Sequence, residues 1–114
     1  MNSAEQKKIY IVHGYQASPN AHWFPWLGRK LQLAGHQSKR VMLAESNQPN
    51  FENWQKFLSV QIPNLDENTI IVAHDLGCLA VLHYLTARFK TTGGNIKAGI
   101  FVAGFKAPLN STLE

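Results

Sequence analysis

The chain has 114 residues, 45% of them hydrophobic and 16% charged, a composition that fits one ordinary globular domain and excludes a disordered chain. Its net charge of +4 comes from eleven Lys and Arg that adjoin only at Lys7-Lys8, Arg29-Lys30 and Lys39-Arg40. That scatter gives no basic, aromatic-interleaved element of the kind a nucleic-acid face needs, so no nucleic-acid partner is expected.

The polar N-terminus, Met1 to Lys8, has no apolar signal region, and no run approaches bilayer-spanning length. A cytoplasmic location without a membrane partner is therefore expected. Ile9 to Val12 is a β-branched apolar run that stops at His13-Gly14, which predicts a strand buried on both faces. A loop, Tyr15 to Ala21, leads into a predicted helix from His22. There Trp23, Leu27, Leu31 and Ala34 recur at helical spacing, Pro25 falls in the first turn and Gly35 is placed to end it.

A weaker strand is predicted over Arg40 to Leu43. Asn50 then stands where it can cap a helix carrying Trp54, Phe57, Leu58 and Ile62, which Pro63 ends. Thr69 to Ala73 is the strongest strand signal, Leu76 to Phe89 reads as helix, and Ala98 to Ala103 reads as a last strand closed by Gly104. The order β-α-β-α-β-α-β predicts a single domain of α/β class spanning residues 1–114. It is a three-layer α/β/α arrangement around a short parallel sheet with right-handed crossovers. Ligands in such sheets bind beyond the carboxyl ends of the strands, where strand order reverses.

Ala73-His74-Asp75-Leu76-Gly77 lies at such an end and fits a nucleophile elbow, with Ala for the first Gly and Asp for Ser. Small flanking residues are needed because the central residue occupies a tight, strained turn. The helix N-terminus behind it offers unpaired N–H groups that stabilise an anion. The Leu76 N–H is one candidate oxyanion donor, and the loop His13-Gly14-Tyr15 is the candidate source of the second. A competing reading makes Asp75 simply the N-cap of the following helix.

The segments Ile11-Val12-His13-Gly14-Tyr15, Ala17-Ser18 and His22-Trp23-Phe24-Pro25-Trp26-Leu27 resemble the small serine hydrolases of the retinoblastoma-binding-protein-nine and YdeN type. Glu52-Asn53-Trp54, Glu67-Asn68-Thr69, Val72-Ala73-His74, Leu76-Gly77-Cys78 and Ala103-Gly104-Phe105 continue the likeness along essentially the whole chain. The resemblance implies the N-terminal part of an α/β-hydrolase fold, a small ester or acyl substrate, no cofactor and a Ser-His-Asp triad. Two departures imply impaired or absent turnover. Asp75 stands in the serine position, and the sequence to Glu114 offers no obvious match to the later triad acid and histidine, which follow the nucleophile in these folds.

Of the five histidines, His83 follows Asp75 by eight helical residues, a rise of about 12 Å, too far for a direct bond. His74 is expected to be a hydrogen-bonded structural residue, because neighbouring strand side chains point to opposite faces. His13 is expected to shape the oxyanion loop. His22 caps a helix, contacts substrate or is exposed, and His36 lies in a surface loop. No HxxxH, HxH or Cys-His spacing supports a metal site.

Tyr15 reads either as a pocket wall with a backbone donor or as a core tyrosine, and Trp23, Trp26 and Trp54 read as core aromatics. The lone Cys78 reads as a buried thiol, consistent with a reducing compartment. Three further functions compete with an impaired hydrolase. One is an Asp-nucleophile hydrolase of epoxides or alkyl halides completed by another chain. Another is a binding module that oligomerises through the edge strand near 98–103. A flavodoxin-like nucleotide binder ranks last, since the loop His13 to Ala21 lacks a Gly-rich phosphate cradle.

Overall fold

A computed structural model describes residues 6–102. Four parallel strands, β1 (Lys8–Val12), β2 (Gln37–Val41), β3 (Thr69–His74) and β4 (Ala98–Val102), form one sheet in the order β2-β1-β3-β4. Helices α1 (Phe24–Leu33), α2 (Phe51–Gln61) and α3 (Leu76–Thr92) alternate with them. The expected α/β class and element order hold. The closing residues of the predicted last strand, Ala103 and Gly104, lie outside the described residues, as does Phe105.

Strand order explains the layers. The chain steps outward from β1 to β2, then back across β1 to β3 and on to β4, so right-handed crossovers put α1 on one face and α2 and α3 on the other. The packing agrees. Ile9, Ile11, Phe24 and Val72 form the core under α1, whereas Trp54, Leu58, Ile62, Val81, Tyr84 and Leu85 pack on Val12, Val41, Ile71 and Ala73. Ile11, Val12, Ile71 and Ala73 are almost wholly buried, as their unbroken apolar runs predicted.

Three elements, β2, α1 and α3, differ from the sequence expectation by more than one residue at an end. β2 begins at Gln37 and ends at Val41, because pairing from Lys8↔Gln37 to Val12↔Val41 sets its register. It is an edge strand whose first four residues are polar, so its apolar signal starts only where it meets the core. α1 begins at Phe24, with Trp23 at the N-cap and His22 still in the preceding turn at φ 53°. It ends near Ala34, followed by Gly35 at φ 93°, a conformation that suits glycine. α3 runs three residues past Phe89 to Thr92.

Candidate active site

The reversal of strand order lies between β1 and β3, whose carboxyl ends bring His13-Gly14 beside His74-Asp75. β3 ends at His74 and α3 begins at Leu76, so Asp75 alone makes the turn. Its φ of 57° and ψ of −132° are rare for a residue with a side chain, and such conformations cost on the order of 1–3 kcal/mol. Neighbours hold the turn. The Asp75 N–H donates to the Val102 carbonyl at 2.9 Å, and the Cys78 N–H donates to the Asp75 carbonyl at 2.9 Å.

Close backbone approach explains the glycines. A Cβ on Gly14 would lie 2.6 Å from the His74 carbonyl oxygen and 2.9 Å from both the Asp75 Cβ and the Leu76 nitrogen. A Cβ on Gly77 would run into the His13 carbonyl. The two loops therefore touch with no side chain between them. Asp75 makes no side-chain hydrogen bond to α3. The capping reading is thus overturned for a geometric reason: a capping side chain needs an extended backbone, and the backbone of Asp75 is not extended. Asp75 is half-buried at the start of α3, where the first backbone N–H groups of a helix lack intrahelical partners.

His13 is 1% exposed and uses both ring nitrogens. Nε2 accepts from the Leu43 N–H at 2.8 Å, which leaves the proton on Nδ1, and Nδ1 donates to the Gly14 carbonyl at 3.1 Å. Burial pushes its pKa below the ordinary imidazole value, partly offset by the bond to Gly14. With no lone pair left over, His13 cannot serve as a general base in this arrangement. The next loop is tied down as well. The Gln16 N–H donates to the Ser46 carbonyl at 2.9 Å, and Ser46 Oγ donates to the Ala17 carbonyl at 2.6 Å. Tyr15, in the same turn, is 43% exposed and so is not a core tyrosine.

His74 points to the α1 side, where its ring lies 5.1 Å from His22 and 5.8 Å from both Trp23 and Phe24, centroid to centroid. Its buried Nδ1 has no hydrogen-bond partner among the described residues, which corrects the expectation of a hydrogen-bonded structural histidine. Burial lowers its pKa, the neighbouring His22 lowers it further, and Asp75 opposes both. Sequence reasoning treated His22 and His74 separately. Their meeting follows from the β1-β3 pairing and the start of α1, 52 residues apart in the chain from His22 to His74 by their numbers.

His83 is exposed on α3, and His36 is half-buried, its Nδ1 accepting from the Lys7 N–H at 3.0 Å. Trp54 is fully buried and its Nε1 donates to the Ala44 carbonyl at 3.2 Å, but Trp26 is 60% exposed and is not a core aromatic. The Cys78 thiol is buried, its pKa raised chiefly by burial. Among the described residues no group of three His, Cys, Asp or Glu could hold a metal ion. Nor is any described helix long and apolar enough to cross a membrane.

Comparison with known proteins agrees with this geometry. The chain is 41% identical over 104 residues to YdeN of Bacillus subtilis (strain 168), a match covering 90% of this chain and 53% of YdeN. The crystal structure of the ydeN gene product from B. subtilis superposes with a TM-score of 0.67 at 45% identity, over 70% of this chain and 43% of that one. The chain thus spans about half the length of this relative. The serine hydrolase family matches residues 9–113, nearly the whole chain, including both loops at the switch point. With a parallel α/β sheet, a strained strand-to-helix turn at its switch point and these matches together, the chain belongs to the serine hydrolase family.

Proposed function

We propose that this chain presents the nucleophile elbow of a small carboxyl-ester or acyl hydrolase with a carboxylate in place of the hydroxyl, and that it has little or no acyl-transfer turnover. The observation that carries the reading is Asp75 itself, held at φ 57° between β3 and α3 without acting as a helix cap. A serine that attacks an ester forms another ester of similar energy, which water then hydrolyses. A carboxylate attacking the same ester would form an anhydride, higher in energy than the substrate, so the adduct collapses backwards. The oxyanion donors assigned are the Leu76 N–H and the backbone of Gly14-Tyr15, with His13 fixing that loop. No cofactor or metal takes part in this reading.

Two other readings have specific support. The uncapped Asp75 carboxylate suits attack on an epoxide or alkyl halide, which gives a stable ester whose hydrolysis needs a base from another chain. β4 exposes Ile100, Phe101 and Val102, which suits association through its edge. Intact-protein mass after incubation with an activated acyl ester, and separately with a small epoxide, separates the chemical readings. The expected result is unmodified protein in both cases. A persistent acyl adduct at Asp75 would contradict the proposal, and an epoxide adduct that alkali releases would establish the Asp-nucleophile reading instead.

A further inference from the structure

α1 and the edge strand β2 enclose a second pocket, of about 420 Å³, whose lining includes neither Asp75 nor His13-Gly14-Tyr15. Its polar lining is Asn20, Gln32 and Ser38 together with Arg29, Lys39 and Arg40, and it contains no Asp or Glu. Strand geometry decides which charges face inward. Side chains alternate along β2, so Ser38 and Arg40 turn toward α1, while Lys39 turns to the opposite face and its Nζ lies 3.5 Å from the Gln61 carbonyl. The cations of the pocket are therefore Arg29 and Arg40.

Gly28 sets the width. A Cβ there would lie 3.1 Å from Ser38 Oγ, and 3.9 Å and 4.0 Å from Arg40 Cδ and Nε, so the arginine stem runs against the helix. Its head is held in place as well. Arg40 Nη1 donates to the Pro19 carbonyl at 3.1 Å and to Asn20 Oδ1 at 2.9 Å, which uses both Nη1 hydrogens. The other edge of the guanidinium, Nε and Nη2, has no partner among the described residues. That edge carries the parallel N–H pair that grips two oxygens of a phosphate or carboxylate, and the fold has already fixed the rotamer that presents it.

Charge favours a dianion. Neither Arg29 nor Arg40 has an ion-pair partner among the described residues, where the ion pair formed is Lys8–Asp66. Two guanidinium groups lining one pocket without a carboxylate hold it at positive potential. A phosphate group, with up to two charges and three terminal oxygens, answers both, whereas a carboxylate answers one. The volume falls within the range of about 300–1,000 Å³ for small-molecule sites, which is more room than a lone phosphate ion needs.

We propose that this pocket binds a small phosphate monoester. The Nε–Nη2 edge of Arg40 takes two phosphate oxygens, Arg29 balances the remaining charge, and the polar remainder of the ligand meets Gln32 and Ser38. This inference goes beyond the reading of Asp75, and neither depends on the other.

The test follows the amide and arginine Nε–H resonances of the isotope-labelled 114-residue chain during titration with β-glycerol phosphate and, separately, with inorganic phosphate. The expected result is saturable shifts at Arg40 Nε–H and at the backbone N–H groups of Arg29 and Ser38, with the ester bound at least as tightly as the ion. Arg40→Gln and Arg29→Gln, both at exposed positions, should each weaken ester binding at least tenfold with the circular dichroism unchanged. Arg40→Lys, which keeps the charge and loses the fork, should weaken it as well. Lys56→Gln, on the exposed side of α2, should leave it unaltered. Absence of saturable shifts, or an equal loss in Lys56→Gln, overturns the proposal. Binding of inorganic phosphate with the ester excluded overturns it too, as does binding only to vesicles containing phosphatidic acid.

Discussion

His13 links the site to the sheet. Its ring bridges the end of β1 to Leu43 beyond β2 and holds the Gly14 carbonyl, so the shape of the candidate oxyanion loop depends on a neutral imidazole. Protonating Nε2 would break the bond from the Leu43 N–H. Because burial holds the folded pKa below the ordinary 6.5, the unfolded chain takes up this proton first as pH falls. His13 therefore lends its full stability above about pH 6.5 and loses it progressively below that value. His74, shifted the same way by burial and His22, adds to the effect. Urea midpoints measured from pH 7 to pH 5 should fall, with a slope of at most about 1.4 kcal/mol per pH unit for each histidine. His13→Gln should be less stable at pH 7 and show a shallower slope. Parallel slopes in the two proteins would show that His13 is not the titrating group.

Among the elements, α2 shows how a local signal and a buried face combine. Asn50 accepts the Asn53 N–H at 3.0 Å, Glu52 lies in the first turn, and Trp54 and Leu58 turn into the core. Asn50→Ala should lower the unfolding free energy by about 1 kcal/mol, measured by urea denaturation, with the sheet unchanged. No loss would mean that core packing alone holds the helix start. The same contrast explains what could be read from the sequence. β1 and β3 are legible because strands buried on both faces are apolar without interruption, whereas β2 hides its first four residues in a polar edge. The tight turn at Asp75 was legible from the small residue Gly77, since close backbone contact with His13 demands it. That Asp75 does not cap its helix was not legible, because it depends on φ and ψ rather than on residue type. The His22-His74 contact was hidden because it arises from tertiary packing.

The molecule as a whole is lopsided. α1 is the sole helix on its face among the described residues, two helices cover the other, and the sheet is well covered at β1 and β3 but open at β4. The switch point, with Asp75 at its centre, is on the covered side of that divide. Strand order, register and backbone strain bring Asp75 and the loop after β1 together at the switch point, where the proposed reading puts a nucleophile elbow without the serine hydroxyl. The chemical consequence is open to a direct check: steady-state hydrolysis of p-nitrophenyl butyrate by the purified chain beside its Asp75→Asn variant. The account predicts that both proteins release p-nitrophenolate no faster than buffer. Turnover by the chain that Asp75→Asn abolishes would contradict it, because the carboxylate would then be a working catalyst of acyl transfer.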